Sequence, residues 1–266
     1  MTAIETESGS GARDRAFLGT STLLFLVSAA ATIAWSRSMA GGVAMPGGWA
    51  LSMAWIRMPG EAWLGAAVAF LGIWVVMMVA MMLPALVPLL SSYRRAVRGR
   101  EEPRVGRLTA VVGAGYFAVW AVSGAVAYGL GVVVTGAELR WPALARVAPV
   151  GIGVVLLGAG MFQLTGWKSR QIGRCWDALG RGRAPGDAWN AWQSGLRLGR
   201  RCALCCSGFM VSLLVTGMMR LGTMALVAAA ITLERLAPKP ERVARAAGVV
   251  VLAVGAVVIA RALGAA

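Results

Sequence analysis

The chain has 266 residues, 58% of them hydrophobic before its 35 glycines are counted, and only 14% charged. That excludes an ordinary soluble domain, whose apolar share is about 45–50% with glycine included. The net charge of +15 sits between apolar spans, so it marks membrane topology rather than nucleic-acid binding, and the absence of histidine excludes bis-histidine haem, histidine-bound zinc and a histidine base.

In chain order, residues 1–15 read as a cytoplasmic tail and residues 16–266 as a single helical membrane domain. Candidate spans follow at Ala16–Trp35, Ala62–Leu90, Leu108–Val134, Val147–Trp167, Cys202–Met219, Leu221–Leu233 and Ala246–Ala260. Each is apolar and uncharged, as a helix across a bilayer requires. The first reads as an anchor, because Glu5, Glu7 and Asp14 spoil the basic region of a cleaved signal. Pro84 and Pro88 are expected to kink the second span or to end its regular part. The fifth and sixth spans meet at Arg220 in a tight hairpin, and the sixth is short enough for a buried or re-entrant helix. Abundant glycine and alanine allow close helix approach and a compact bundle.

Lys and Arg alternate between rich and poor connections, and placing the rich set in the cytoplasm puts 20 of the 26 there. The positive-inside rule then sets the N-terminus inside. The expected fold is all-α: a polytopic membrane helical bundle of about seven transmembrane helices, N-terminus cytoplasmic, in a bacterial-type inner membrane. The longest cytoplasmic connection is basic and runs over residues 168–201. Within it, Asp187 can cap a short interfacial helix with Trp189, Trp192 and Leu196 on one face and Arg197, Arg200 and Arg201 following.

The chemistry resides in sulfur, from four Cys and fourteen Met. Cys202, Cys205 and Cys206 open the fifth span at positions i, i+3 and i+4, which share a helix face, and Met210 continues the ridge. Thiolates and thioethers are soft donors suited to Cu(I), and a helix start favours the metal-binding thiolate. Buried cysteine is also simply a small hydrophobe. Met77, Met78, Met81 and Met82 form two further ridges in the second span, where packing alone would account for them. Topology brings the inner half of the second span, the start of the fifth and loop residue Cys175 to one leaflet. The ligand set read from this is Cys202, Cys205, Cys206, Cys175, Met210, Met82 and Met78.

Other polar residues have blander readings. Gln163 is expected to bond a neighbouring helix. Glu234 and Arg235 read as a solvated cap on the sixth span, Tyr116 and Trp120 as packing, and Lys168, Arg170 and Arg174 as positive-inside charges.

A family resemblance rests on Ala80-Met81-Met82-Leu83-Pro84, then Gly115-Tyr116 with Trp120, then Ala159-Gly160-Met161-Phe162-Gln163-Leu164-Thr165 with Lys168 and Cys175. Gly195 and Gly199 before Cys202-Ala203-Leu204-Cys205-Cys206, with Met210, Gly217, Met219 and Glu234-Arg235, extend it. Together they resemble the predicted metal-binding integral membrane proteins called domain of unknown function 2182, over roughly Ala62 to Leu263. The chain departs from that pattern at Gln171, Phe162, Leu204, Ser207 and Arg220. Gln171 stands where the family has a loop cysteine, which leaves Cys175 as the loop thiol that can join those of the fifth span. The resemblance implies metal binding.

The functional expectation is a membrane protein that holds or passes a soft metal ion, copper as Cu(I), near the cytoplasmic face. No catalytic residue, haem or nucleotide is expected. Its partners would be the lipid bilayer, a metallochaperone and a membrane protein, with no nucleic acid. Two alternatives stand beside it: a membrane subunit or assembly factor of a larger complex, and a membrane thiol–disulfide oxidoreductase using the C-x-x-C-C segment Cys202-Ala203-Leu204-Cys205-Cys206.

Overall fold

The computed structural model describes residues 2–38, 42–45, 49–52, 55, 60, 62–97, 102–171, 173, 187–218 and 220–264. Its long helices are α1 (Thr2–Ser38), α2 (Trp63–Ala96), α3 (Glu102–Arg140), α4 (Pro142–Leu164), α5 (Ala188–Thr216), α6 (Leu221–Leu236) and α7 (Pro240–Gly264). One antiparallel hairpin, β1 (Gly42–Met45) with β2 (Trp49–Ser52), lies between α1 and α2. The chain is thus an all-helical bundle apart from that short hairpin.

Six of these helices are long and apolar enough to cross a membrane, against the seven candidates in the sequence. The shortfall is α6: its 16 residues make a rod of about 24 Å, short of a hydrocarbon core of about 30 Å. Large apolar side chains lie exposed along the others, among them Leu23 and Val27 on α1, Val126 and Val133 on α3, and Val250 on α7. Lipid is the solvent in which such faces carry no penalty.

Three local expectations change. The second span does not stop at its prolines; α2 runs through Pro84 and Pro88 to Ala96. Asp187 does cap a helix, accepting the Asn190 N–H at 2.7 Å, but that helix is continuous with the cysteine span. Its buried face is Ala191, Gly195, Leu198 and Gly199, while Trp189 is exposed. The cysteines therefore lie well inside α5, away from the helix start that was expected to favour their thiolates.

Contacts fix the relative directions. Trp74 donates its indole N–H to the Trp120 carbonyl at 2.8 Å and Phe70 packs on Tyr128, so α2 and α3 run antiparallel. A close approach of glycines joins α3 to α5 in parallel. A Cβ on Gly115 would lie 2.6 Å from the Trp192 carbonyl oxygen, and one on Gly199 2.8 Å from that of Tyr116. Facing glycines likewise join α4 to α7 antiparallel, Gly153 against Gly255 and Gly160 against Gly248. Gly217, at φ +102°, makes the turn from α5 into α6, a conformation that favours glycine.

Candidate metal centre

The glycine seam between α3 and α5 sets the geometry of the centre. With no side chains at Gly115, Gly195 and Gly199, the two backbones close up. Tyr116 then reaches Cys202: its hydroxyl and the Cys202 sulfur share a hydrogen bond of 2.9 Å. One turn further along α5, Cys206 Sγ lies 3.9 Å from Cys202 Sγ. Both cysteines are fully buried, and neither is in a disulfide.

Cys202, Cys206 and Met210 belong to one continuous core with Met77, Met78, Met81 and Met82 of α2. The register helps explain this. Continuing the antiparallel pairing of Phe70 with Tyr128 along α2 sets Met78 and Met82 level with the Trp120–Tyr116 stretch of α3. That is the level at which Tyr116 meets Cys202. Five of the seven residues expected from the sequence thus share one core: Cys202, Cys206, Met210, Met78 and Met82.

The other two do not join it. Cys205 is buried but packs against Ala244 of α7, outside the Met–Cys core. Cys175 lies outside the described residues. Among the described residues no group of three or more Cys, Asp or Glu side chains converges as a metal cage. The dense sulfur feature is therefore a pair of thiols set beside thioethers.

Four residues beside the pair are the ones given blander readings above. Lys168, just past α4, is fully buried; its Nζ donates to the Cys205 carbonyl at 2.6 Å and to Glu234 at 3.1 Å. The ion pair with the other Glu234 oxygen is 3.0 Å, and Lys168 also stands 5.0 Å from the centre of the Phe209 ring. Glu234 is 1% exposed, so the expected solvated cap on α6 is a buried charge. Arg235 is buried too, and its Nη2 donates toward Cys206 Sγ at 3.9 Å. Tyr116, expected only to pack, is a hydrogen-bond partner of a thiol.

The signal for Glu234 and Arg235 was present in the sequence. Met224, Val227 and Ile231 recur at helical spacing, and Glu234 and Arg235 continue that buried stripe. Tyr116 extends Leu108 and Val112 in the same way. Gln163 departs from expectation: it is buried between Gly208 and Gly248, and neither amide atom has a hydrogen-bond partner among the described residues.

Chemically, the arrangement offers two sulfurs that become thiolates on binding a metal, neutral thioethers in the same core, and a guanidinium against one sulfur. Burial excludes water, which strengthens each of these interactions. Soft donors of this kind favour a soft cation.

A family model described as PpoB2, copper chaperone, matches residues 71–258, a stretch that contains every element of this centre. No curated protein matches the chain, and no solved structure does.

Proposed function

The chain belongs to the PpoB2 family of copper chaperones, and from that premise we propose that it binds copper as Cu(I) on buried sulfur and passes it on within the membrane. The observation that carries this reading is the Cys202–Cys206 pair, 3.9 Å apart inside a core that also holds Met78, Met82 and Met210. Cysteine and methionine without histidine form a donor set suited to Cu(I).

Cys202 and Cys206 would supply two thiolates to the ion, and a thioether of the same core would supply a third donor. Met210, one turn beyond Cys206 on α5, and Met78 and Met82 of α2 are the thioethers of that core. Cys205, next to Cys206 in sequence but packed on Ala244, and Cys175 of the basic loop are candidates for receiving or handing over the ion.

The charge pattern supports delivery toward the cytoplasmic face: Arg197, Arg200 and Arg201 precede Cys202 on α5. A soluble metallochaperone or a membrane-protein acceptor would meet the protein there. The thiol–disulfide reading has less support. Cys202, Cys205 and Cys206 are all buried, which places them poorly for attack by a partner's thiolate.

The experiment is metal analysis of the full-length protein purified from copper-supplemented cells, beside a Cys202→Ser/Cys206→Ser variant. The expected result is about one copper per chain in the parent and loss of most of it in the variant. Equal copper in both would remove the proposal.

A further inference from the structure

We infer that buried methionines form an entry route for the metal, leading from the end of the bundle at the Gly217 turn along α5 to the Cys202–Cys206 pair. This rests on the sulfur site proposed above and adds the direction from which the ion reaches it.

The route lies in the order of sulfur along one core. Cys202, Cys206 and Met210 follow one another at four-residue intervals on α5, steps of about 6 Å along the helix axis. Met218 stands just past the turn at Gly217 and is buried. Met224 of α6 falls between Met210 and Met218. From that turn α6 returns alongside α5, and its Arg235 reaches Cys206; counting back along α6 from this contact sets Met224 level with the end of α5. The Ser36 hydroxyl of α1 donates to the Met224 sulfur at 4.0 Å and closes that side. All five sulfur residues are buried in the same core.

The methionines are sorted by face as well as by level. Of the nine whose side chains are described, seven lie in this core and only Met161 is exposed. The outward positions of α5 and α6 take Val211, Leu226 and Leu233 instead. Apolar bulk is thus supplied without sulfur on the lipid side and with sulfur inside.

The order of donors gives the route its direction. A cation crossing an apolar interior needs a donor at each step, and each site must hold it loosely enough to let it leave. Neutral thioethers do this for Cu(I). Thiols, which bind as charged thiolates, hold it more firmly, so affinity rises from Met218 and Met224 through Met210 to Cys206 and Cys202. A thioether carries no proton. Each step among them therefore exchanges one Cu–S bond for the next with no change of oxidation state. Arg197, Arg200 and Arg201 lie at the opposite end of α5, so the positive-inside rule sets the Gly217 turn on the non-cytoplasmic face.

The test uses the full-length protein in sealed membrane vesicles, right-side-out and inverted, supplied with Cu(I) under ascorbate. An impermeant Cu(I) chelator stops loading at timed intervals, and copper is then measured on the purified protein. In right-side-out vesicles Met218→Leu/Met224→Leu is expected to load about tenfold more slowly than the parent and to reach the same final copper. Leucine is close to methionine in volume and is tolerated in cores. In inverted vesicles the two should load alike, and Met161→Leu should match the parent in both. Equal rates for parent and double variant in right-side-out vesicles overturn the route. Slowing by the same factor in both orientations, as general damage to the fold would cause, overturns it too, and so does a parent that loads only in inverted vesicles. If the double variant does not fold, Met224→Leu alone is read by the same criteria. Copper that survives Cys202→Ser/Cys206→Ser overturns the sulfur site itself, a separate outcome from failure of the route.

Discussion

Lys168 and Glu234 sit where unpaired charge is least tolerable, with side chains 0% and 2% exposed. Such a pair contributes little net stability compared with apolar residues, yet breaking it strands the surviving partner. Glu234→Gln is expected to destabilise the protein by about 3 kcal/mol, read from denaturant unfolding in detergent. Lys168→Met together with Glu234→Gln should recover most of that loss; a double variant no more stable than the single one would argue against the pair. At this scale the sequence was only partly legible. Glu234 was readable because it falls on the apolar stripe through Val227 and Ile231. Lys168 was not, since it follows the end of α4 among other basic residues and the positive-inside rule makes all of them look alike. The thiols stood out by spacing alone, but spacing could not separate Cys205, which turns toward Ala244, from Cys206, which joins Cys202.

Among the elements, the seam of α3 and α5 matters most, because it determines whether Tyr116 meets Cys202. Gly195 faces the Val112 carbonyl and the Cα of Gly115, so a side chain there must push two backbones apart. Gly195→Val is expected to cost about 2–3 kcal/mol by overpacking, again read by denaturant unfolding in detergent, and to weaken copper retention through the lost register. Gly113→Ala, where a Cβ meets open space, should be close to neutral. Gly195 and Gly199 drew notice through the family resemblance, whereas their physical role required the partner helix. Helix extents were less legible. The prolines suggested a kink in α2 or an end to its regular part; the helix continues through both to Ala96. The basic stretch before Cys202 suggested a separate interfacial helix, yet Ala191, Gly195 and Leu198 bury one face and make it part of α5. The β1–β2 hairpin was not anticipated, since strands of four residues are too short to show an alternating pattern.

At the scale of the whole molecule, composition and charge patterning were enough for an all-helical membrane bundle. The alternation of basic connections anticipated the antiparallel pairing of α2 with α3 and of α4 with α7. Of the seven long helices described, α6 alone falls short of a full crossing by length, and its end brings Glu234 and Arg235 to the thiols. The sequence brought sulfur from separate helices to one leaflet; the fold adds that Met78, Met82, Cys202, Cys206 and Met210 share one core, and that a buried guanidinium adjoins it. Copper held on buried sulfur is the central claim. Copper X-ray absorption on the loaded full-length protein tests it most directly. The expected result is a Cu(I) edge and a first shell of sulfur alone, reduced on removal of Cys202 and Cys206. A Cu(II) edge with a shell of oxygen or nitrogen would contradict it.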